Sequence, residues 1–408
     1  MKRTLITNIG MLATPQGTAA RGGRAQGEIC ILKNAWIFIE NDVIAQVGTG
    51  AAPAAAGAQT INAGGKLVTP GLVDAHTHLI FGGWRQNELA LKLHGAGYLD
   101  ILAAGGGILS TMRATQSASE EQLEAKASAA LDEMLRFGTT TAEAKSGYGL
   151  STGEECKALR VIGNLQKRHV MDLAATFMGA HAVPEAYRDN RQGYLELLCE
   201  EMLPAVREQG IAEFCDVFCE KGVFSAEESR RILLTGRQYG LRPKIHADEI
   251  EAIGGSELAG EIGAVSAEHL IVCPPSGIAS MAEGGTVACC LPATSFYLGA
   301  AYAPVQDMVQ AGVPVAMATD FNPGSCPCLN MQLVISLGCL RYRLTPEQAL
   351  TAVTLNGAAA ICRADRIGSI EPGKQADILI WNAEDLDYIC YRLGSNLVDT
   401  VIKKGNVV

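Results

Sequence analysis

The sequence predicts an α/β protein in which a parallel (β/α)8 barrel carries a small β domain assembled from both chain ends. Three observations carry that expectation. The middle of the chain alternates eight apolar, β-rich runs with helical segments, the pattern of βαβ units around a parallel sheet. Both ends instead alternate apolar and polar residues in short runs. The length, 408 residues, accommodates one barrel of about 250 residues plus a smaller unit. A composition of 48% hydrophobic and 19% charged residues supplies apolar surface for a large core and carries no sign of disorder.

Taken in order, residues 1–66 contain runs such as 35–40 and 43–47, divided by Asn41-Asp42 and bounded by Gly48 to Gly50. They read as short antiparallel strands joined by turns. The eight barrel runs follow at 72–78, 139–145, 172–178, 212–219, 242–246, 264–269, 286–292 and 313–319. An insertion at 81–115 separates the first two and contains Gly105-Gly106-Gly107. With neither a GxxxxGK[ST] string nor a strand-glycine-helix context, the triplet reads as a flexible loop over the barrel mouth, not a phosphate cradle. Residues 119–137 form a helix: a Ser-x-x-Gln capping signal precedes a stripe of Leu123, Ala127, Ala130, Leu131, Met134 and Leu135 that can pack on the barrel. Runs 376–381 and 397–408, the latter turning at Gly405-Asn406, return to the β texture of the start. The expected division is 1–66 and 361–408 for the β domain and 67–360 for the barrel, since chain ends often lie close together.

Charge and targeting signals narrow the class. The net charge is −10 and Lys and Arg form no concentrated run, so nucleic acid is not an expected partner. Lys2 and Arg3 are followed by mixed Thr, Asn and Gly, without a signal peptide's apolar core, and no apolar stretch nears the roughly 20 residues of a membrane span. The expected location is the cytoplasm, with no membrane partner. Thirteen cysteines, an odd number at irregular spacings, read as reduced thiols behaving as small hydrophobes. The close pairs Cys215 and Cys219, Cys289 and Cys290, and Cys326 and Cys328 do not make the double CxxC of a zinc ribbon.

The chemistry lies at the strand ends. The first barrel run closes on Asp74-Ala75-His76-Thr77-His78, and alternation along a strand projects His76 and His78 to the same side, about 6–7 Å apart. Neutral imidazoles ligate zinc, iron, nickel and related ions, but one such pair is weak by itself. His246 closes the fifth run, His269 closes the sixth, and Asp320 follows the eighth. A barrel of this type builds its site at the C-terminal ends of its strands. A satisfied histidine or a helix cap would explain any one of these residues singly; four strand ends together point to a metal site.

His76-Thr77-His78, His246, His269 and Asp320 on the eighth run resemble the amidohydrolase superfamily, whose barrels carry a small flanking β-sandwich. More narrowly, four strings resemble the imidazolonepropionase family: Glu143-Ala144-Lys145-Ser146-Gly147-Tyr148-Gly149-Leu150, Gly179-Ala180-His181-Ala182-Val183-Pro184, His246-Ala247-Asp248-Glu249 and Thr319-Asp320-Phe321-Asn322-Pro323-Gly324-Ser325. The resemblance covers nearly the whole chain. It implies a β-sandwich built from both ends, and one divalent or trivalent ion per chain, zinc or iron, held by His76, His78, His246 and Asp320. A cation with an open position lowers the pKa of water toward about 7 and makes hydroxide available as a nucleophile.

The resemblance further implies Asp320, Glu249 and His269 as the groups that orient water and relay protons. Arg85 would pair with a substrate carboxylate. Tyr148, His181 and Glu249, with Asn322, Gly324 and Ser325, would complete the substrate site. The implied reaction is hydrolysis of 4-imidazolone-5-propanoate to N-formimidoyl-L-glutamate in histidine degradation. A homodimer is the expected assembly of a symmetric soluble enzyme. Lys145 and Lys221 raise a two-metal alternative with a carboxylated lysine, whereas the family strings match the one-metal group. His94 and His169 read as solvated. Two rivals stand beside this reading: an aminohydrolase of purines or pyrimidines, which would release ammonia, and a catalytically inert scaffold, which would hold no metal.

Overall fold

The computed structural model describes residues 2–54, 57–94 and 106–408. The chain opens with β1 (Arg3–Thr14), β2 (Cys30–Glu40), β3 (Val43–Thr49), β4 (Gln59–Asn62) and β5 (Leu67–Pro70). Along β1, Ile6 and Ile9 are an odd number of residues apart, so strict alternation would send them to opposite faces. An irregularity between them, with Asn8 at φ 54°, resets the alternation, and both are buried. β1, β2 and β3 pair antiparallel as the turn signals predict, but β4 and β5 pair parallel with β1. The two short strands share one edge of β1, β4 along Thr4–Thr7 and β5 along Met11 and Leu12. An edge is filled by whichever strand direction the preceding connection delivers, and local turn signals are blind to that.

The barrel strands are β6 (Leu72–Asp74), β7 (Thr139–Lys145), β8 (Asp172–Ala180), β9 (Phe214–Cys219), β10 (Arg242–Ala247), β11 (Ser266–His269), β12 (Val287–Cys290) and β13 (Val315–Met317). Each pairs parallel with the next in one eight-stranded sheet. All eight runs expected from sequence therefore carry a strand, most of them shorter than the apolar run. The two end strands are tied just beyond their ladders: Asp320 N donates to His76 O at 3.0 Å and His78 N to Phe321 O at 2.9 Å. The Asp74 carboxylate adds a second tie by accepting from Thr319 N at 3.0 Å and Thr319 Oγ1 at 2.6 Å.

Helices cover the outside. In the helix Glu120–Arg136 the Ser119 hydroxyl and the Gln122 side chain cap each other's backbone, while Leu123, Ala127, Leu131 and Met134 are buried. Of the 81–115 insertion, a turn at Gln86–Glu88 and helices Leu89–Leu93 and Ile108–Ser117 are defined. Gly105 lies outside the described residues, and with it the centre of the expected mouth loop.

The chain closes with β14 (Ile378–Trp381), β15 (Val398–Lys403) and β16 (Asn406–Val407). β14 pairs antiparallel with β5, so eight strands from both chain ends form one hydrogen-bonded sheet. Its buried side gathers Ile6, Ile37, Ile39, Ile44, Ile378, Ile380 and Ile402 into one aliphatic cluster.

Candidate active site

The C-terminal ends of the barrel strands carry a group of strained residues. Leu150, Asp248, His269, Leu270 and Asp320 all have positive φ, from 52° to 69°. Such conformations disfavour side chains with a Cβ and persist only where the surroundings enforce them, most often at functional sites.

His76, His78, His246, His269 and Asp320 converge there, each buried. His76 Nε2 and His78 Nε2 lie 3.4 and 3.5 Å from Asp320 Oδ1, and His246 Nε2 lies 3.3 Å from His78 Nε2. The ring centroids of His76 and His246 are 4.6 Å apart, and those of His246 and His269 are 5.2 Å apart. Two sets, His76 with His78 and Asp320, and His76 with His246 and His269, each bring their donor atoms within 4.8 Å of one another. The four ligands expected from sequence are thus together, with His269 beside them.

Buried carboxylates fix two of the imidazoles. Glu268 Oε2 lies 2.9 Å from His76 Nδ1, and Asp216 Oδ1 lies 3.1 Å from His246 Nδ1. A carboxylate can only accept, so each bond requires the proton on Nδ1 and leaves the Nε2 lone pair facing the shared space. On the other side, Asp320 Oδ2 accepts from Thr294 Oγ1 at 2.7 Å, which leaves Oδ1 turned inward. His76 Nε2 and Asp320 Oδ1 are fully buried and have no hydrogen-bond partner among the described residues. Inward lone pairs and an unsatisfied carboxylate oxygen are costly in an apolar interior and suit a cation. The donor set of imidazoles and one carboxylate fits a metal ion.

Burial also sets the protonation. It holds His76 and His78 well below the usual histidine range, the form that ligates, and lowers His269 to about 3. Glu249, pushed up to about 7 by burial, sits with Oε1 3.7 Å from His269 Nδ1. A carboxyl that gains and loses its proton near neutrality is suited to proton relay. Asp320 is likewise raised by burial.

In the turn after the first barrel strand, Glu88 grips Arg85 through two bonds, Nε to Oε1 at 2.9 Å and Nη2 to Oε2 at 2.8 Å. Glu88 also accepts from Gly107 N at 2.7 Å. The remaining nitrogen, Nη1, lies over Gly324, where a Cβ would stand 2.2 Å from it, so only glycine allows this approach. Asn322 works within its own loop: Oδ1 accepts from Gly324 N at 2.8 Å and Ser325 N at 2.7 Å, and Nδ2 donates to Asp320 O at 2.7 Å and Ser325 Oγ at 2.8 Å. These bonds shape the turn after Asp320.

The loop after β7 is held by Glu155, whose buried carboxylate accepts from Gly147 N, Gly149 N and Leu150 N at 2.8–3.0 Å. Gly147, at φ 108°, gives the turn, and its carbonyl accepts from His181 Nδ1 at 3.0 Å. His181 stacks on His78 at 4.7 Å, and Tyr148 packs 5.1 Å from His181. Both residues therefore border the cluster of His76, His78, His246 and Asp320.

Glu268, Asp216, Thr294, Glu88 and Glu155 were not singled out by sequence. Glu268 had a signal, an acidic residue inside a strand run one position before His269. Glu88, three residues after Arg85, had one as a helical-spaced counter-charge. Lys145 Nζ pairs with Glu143 and Asp216, and Lys221, exposed, pairs with Glu251 at 2.8 Å outside the site. His169 is not solvated as its setting suggested: Nδ1 accepts from Met171 N at 3.1 Å, and Nε2 lies 3.2 Å from Asp132. His94 is exposed. No two cysteines are joined, and no described helix is long and apolar enough to cross a membrane.

A family model described as "Amidohydrolase family" matches residues 67–408. The imidazolonepropionase of Alkaliphilus metalliredigens (strain QYMF) is 50% identical over 414 residues, covering 100% of this chain and 98% of that relative. Among solved structures, a triazine hydrolase variant superposes with a TM-score of 0.76 at 17% identity, covering 100% of this chain and 94% of that one. An adenosine deaminase from Xanthomonas campestris with bound zinc superposes with a TM-score of 0.71 at 21% identity, over 99% and 92% of the two chains. At those identities the solved structures speak to the fold alone.

Proposed function

This chain belongs to the amidohydrolase family and, within it, to the imidazolonepropionases; from that premise we propose that it adds water to 4-imidazolone-5-propanoate, breaking a ring C–N bond to give N-formimidoyl-L-glutamate. The observation that carries the reading is the inward-facing, hydrogen-bond-free pair of His76 Nε2 and Asp320 Oδ1 among four buried ligands. His76, His78, His246 and Asp320 would hold a cation, zinc or iron, which when bound would lower the pKa of water and polarise a carbonyl.

This chain's own residues do the rest. Glu249 and His269, 3.7 Å apart, hold and move the proton between the attacking water and the departing ring nitrogen, with Asp320 as the first acceptor. Arg85, held rigid by Glu88, offers Nη1 toward the propionate, and a guanidinium already fixed loses little freedom on binding. Tyr148 and His181 border the ring, and the turn formed by Asn322, Gly324 and Ser325 closes that side. Cytoplasmic location, a role in histidine degradation and a homodimeric state belong to the same reading.

The test is consumption of imidazolonepropionate by metal-replete and chelator-stripped enzyme, with elemental analysis of the purified protein. Activity that disappears on stripping and returns with zinc or iron is expected. Ammonia release from a purine or pyrimidine, without turnover of the imidazolone, would move the assignment to an aminohydrolase.

A further inference from the structure

Beneath the ligands, the barrel lumen holds five charged side chains with no solvent exposure: Glu143 and Lys145 on β7, Asp216 on β9, Lys244 on β10 and Glu268 on β11. They form one continuous chain. Lys145 Nζ is 2.7 Å from Asp216 Oδ2 and 2.8 Å from Glu143 Oε1; Lys244 Nζ is 2.9 Å from Glu143 Oε1 and 3.4 Å from Glu268 Oε1. Thr176 Oγ1 donates to Glu143 Oε1 at 2.5 Å, and Lys244 Nζ also donates to Ala75 O at 3.1 Å. The two ends of the chain are the carboxylates that grip His246 and His76.

Stability alone is a weak reason for such an arrangement, because removing five charges from water costs several kcal/mol each, and well-packed hydrophobic residues often do as well. Its geometry offers another. Lys145 holds Oδ2 of Asp216, while Ser266 Oγ, with Lys244 3.4 Å away, holds Oε1 of Glu268, and this turns the other oxygen of each carboxylate onto a histidine Nδ1. Glu143 sits between both lysines and touches neither histidine.

We propose that this chain is a positioning device that locks His76 and His246 jointly in their ligating orientation, so that Glu143, remote from the cation, governs how tightly the site holds it. The inference rests on the metal-site reading above and assigns Glu143, Lys145 and Lys244 as positioning residues. Partners one shell out from a metal typically change affinity by about 10–100-fold when removed.

The experiment measures zinc affinity of stripped wild type and Glu143→Gln by competition with a chelator, alongside the melting temperature of each metal-free protein. The expected result is a loss of zinc affinity of about 10–100-fold in a folded variant. Affinity within about twofold of wild type would overturn the inference. If Glu143→Gln does not fold, the charge-balanced Glu143→Gln/Lys244→Met variant is read the same way. Failure of both to fold would assign the chain to folding instead and overturn the positioning role. A wild type that takes up no zinc would sink the metal-site reading itself, an outcome visible before any variant is compared.

Discussion

Inside the terminal sheet, Ile6, Ile37, Ile39, Ile378 and Ile402 pack against one another, whereas inside the barrel Glu143, Lys145, Asp216, Lys244 and Glu268 lie equally buried. Both interiors are made by the same alternation of strand side chains. In the sheet, the inward set is aliphatic and each residue adds to stability through burial. In the barrel, the inward set includes this charged cluster beside apolar residues such as Phe214, so desolvation opposes folding there. This chain gains stability in the terminal sheet and gives some up in the barrel. A substitution should then affect stability in one region and catalysis in the other.

The largest effect that separates them is expected from Glu249→Gln, which keeps the shape of the side chain and removes its proton exchange. Its kcat should fall by about 10²–10⁴, and wild-type kcat would take Glu249 out of the relay. Next comes Ile37→Ala, with a loss of about 2–5 kcal/mol in denaturant unfolding and an unchanged kcat per folded molecule. A folded Ile37→Ala protein with impaired turnover would break the contrast between the two interiors.

The third effect sharpens it. Burial raises Glu249 from 4.5 to about 7 in the folded protein, so the folded state keeps a proton that the unfolded state releases. Its stabilising contribution is present below pH 4.5 and is lost as pH rises through 7. Glutamine has no proton to release. Metal-free Glu249→Gln should therefore gain stability over metal-free wild type between pH 5 and pH 8, by up to about 3 kcal/mol. A difference that stays flat with pH in paired thermal melts would contradict this. The smallest effect is expected from Arg85→Lys, which loses the planar fork held by Glu88: KM should rise about tenfold with a lesser change in kcat. Equal KM values in steady-state kinetics would remove Arg85 from carboxylate recognition.

Much of this was legible in the sequence, for reasons that differ by residue. The strand runs were visible because two-sided burial in a barrel leaves long apolar stretches. His76, His78, His246 and Asp320 were visible because each interrupts or ends such a stretch. The roles of Glu268 and Asp216 were hidden because they depend on which strands the fold brings together, and on a histidine elsewhere in the chain. The parallel pairing of β4 and β5 with β1 was hidden because a short alternating run has no mark of direction. Asn322 was legible as a polar residue beside Asp320, whereas its bonds to Gly324 N and Ser325 N depend on the fold of the turn.

One feature of the terminal sheet reaches beyond catalysis. β5 is bordered by β1 on one side and by β14 on the other, with Leu379 opposite Thr69. A ribosome therefore emits the first strands long before their last partner exists. During that interval β5 has an unfilled edge and the isoleucine face is incomplete, the condition under which nascent β structure associates wrongly. Contacts of such long sequence separation form slowly, so the yield of soluble protein should depend on how well that early surface is shielded until synthesis ends.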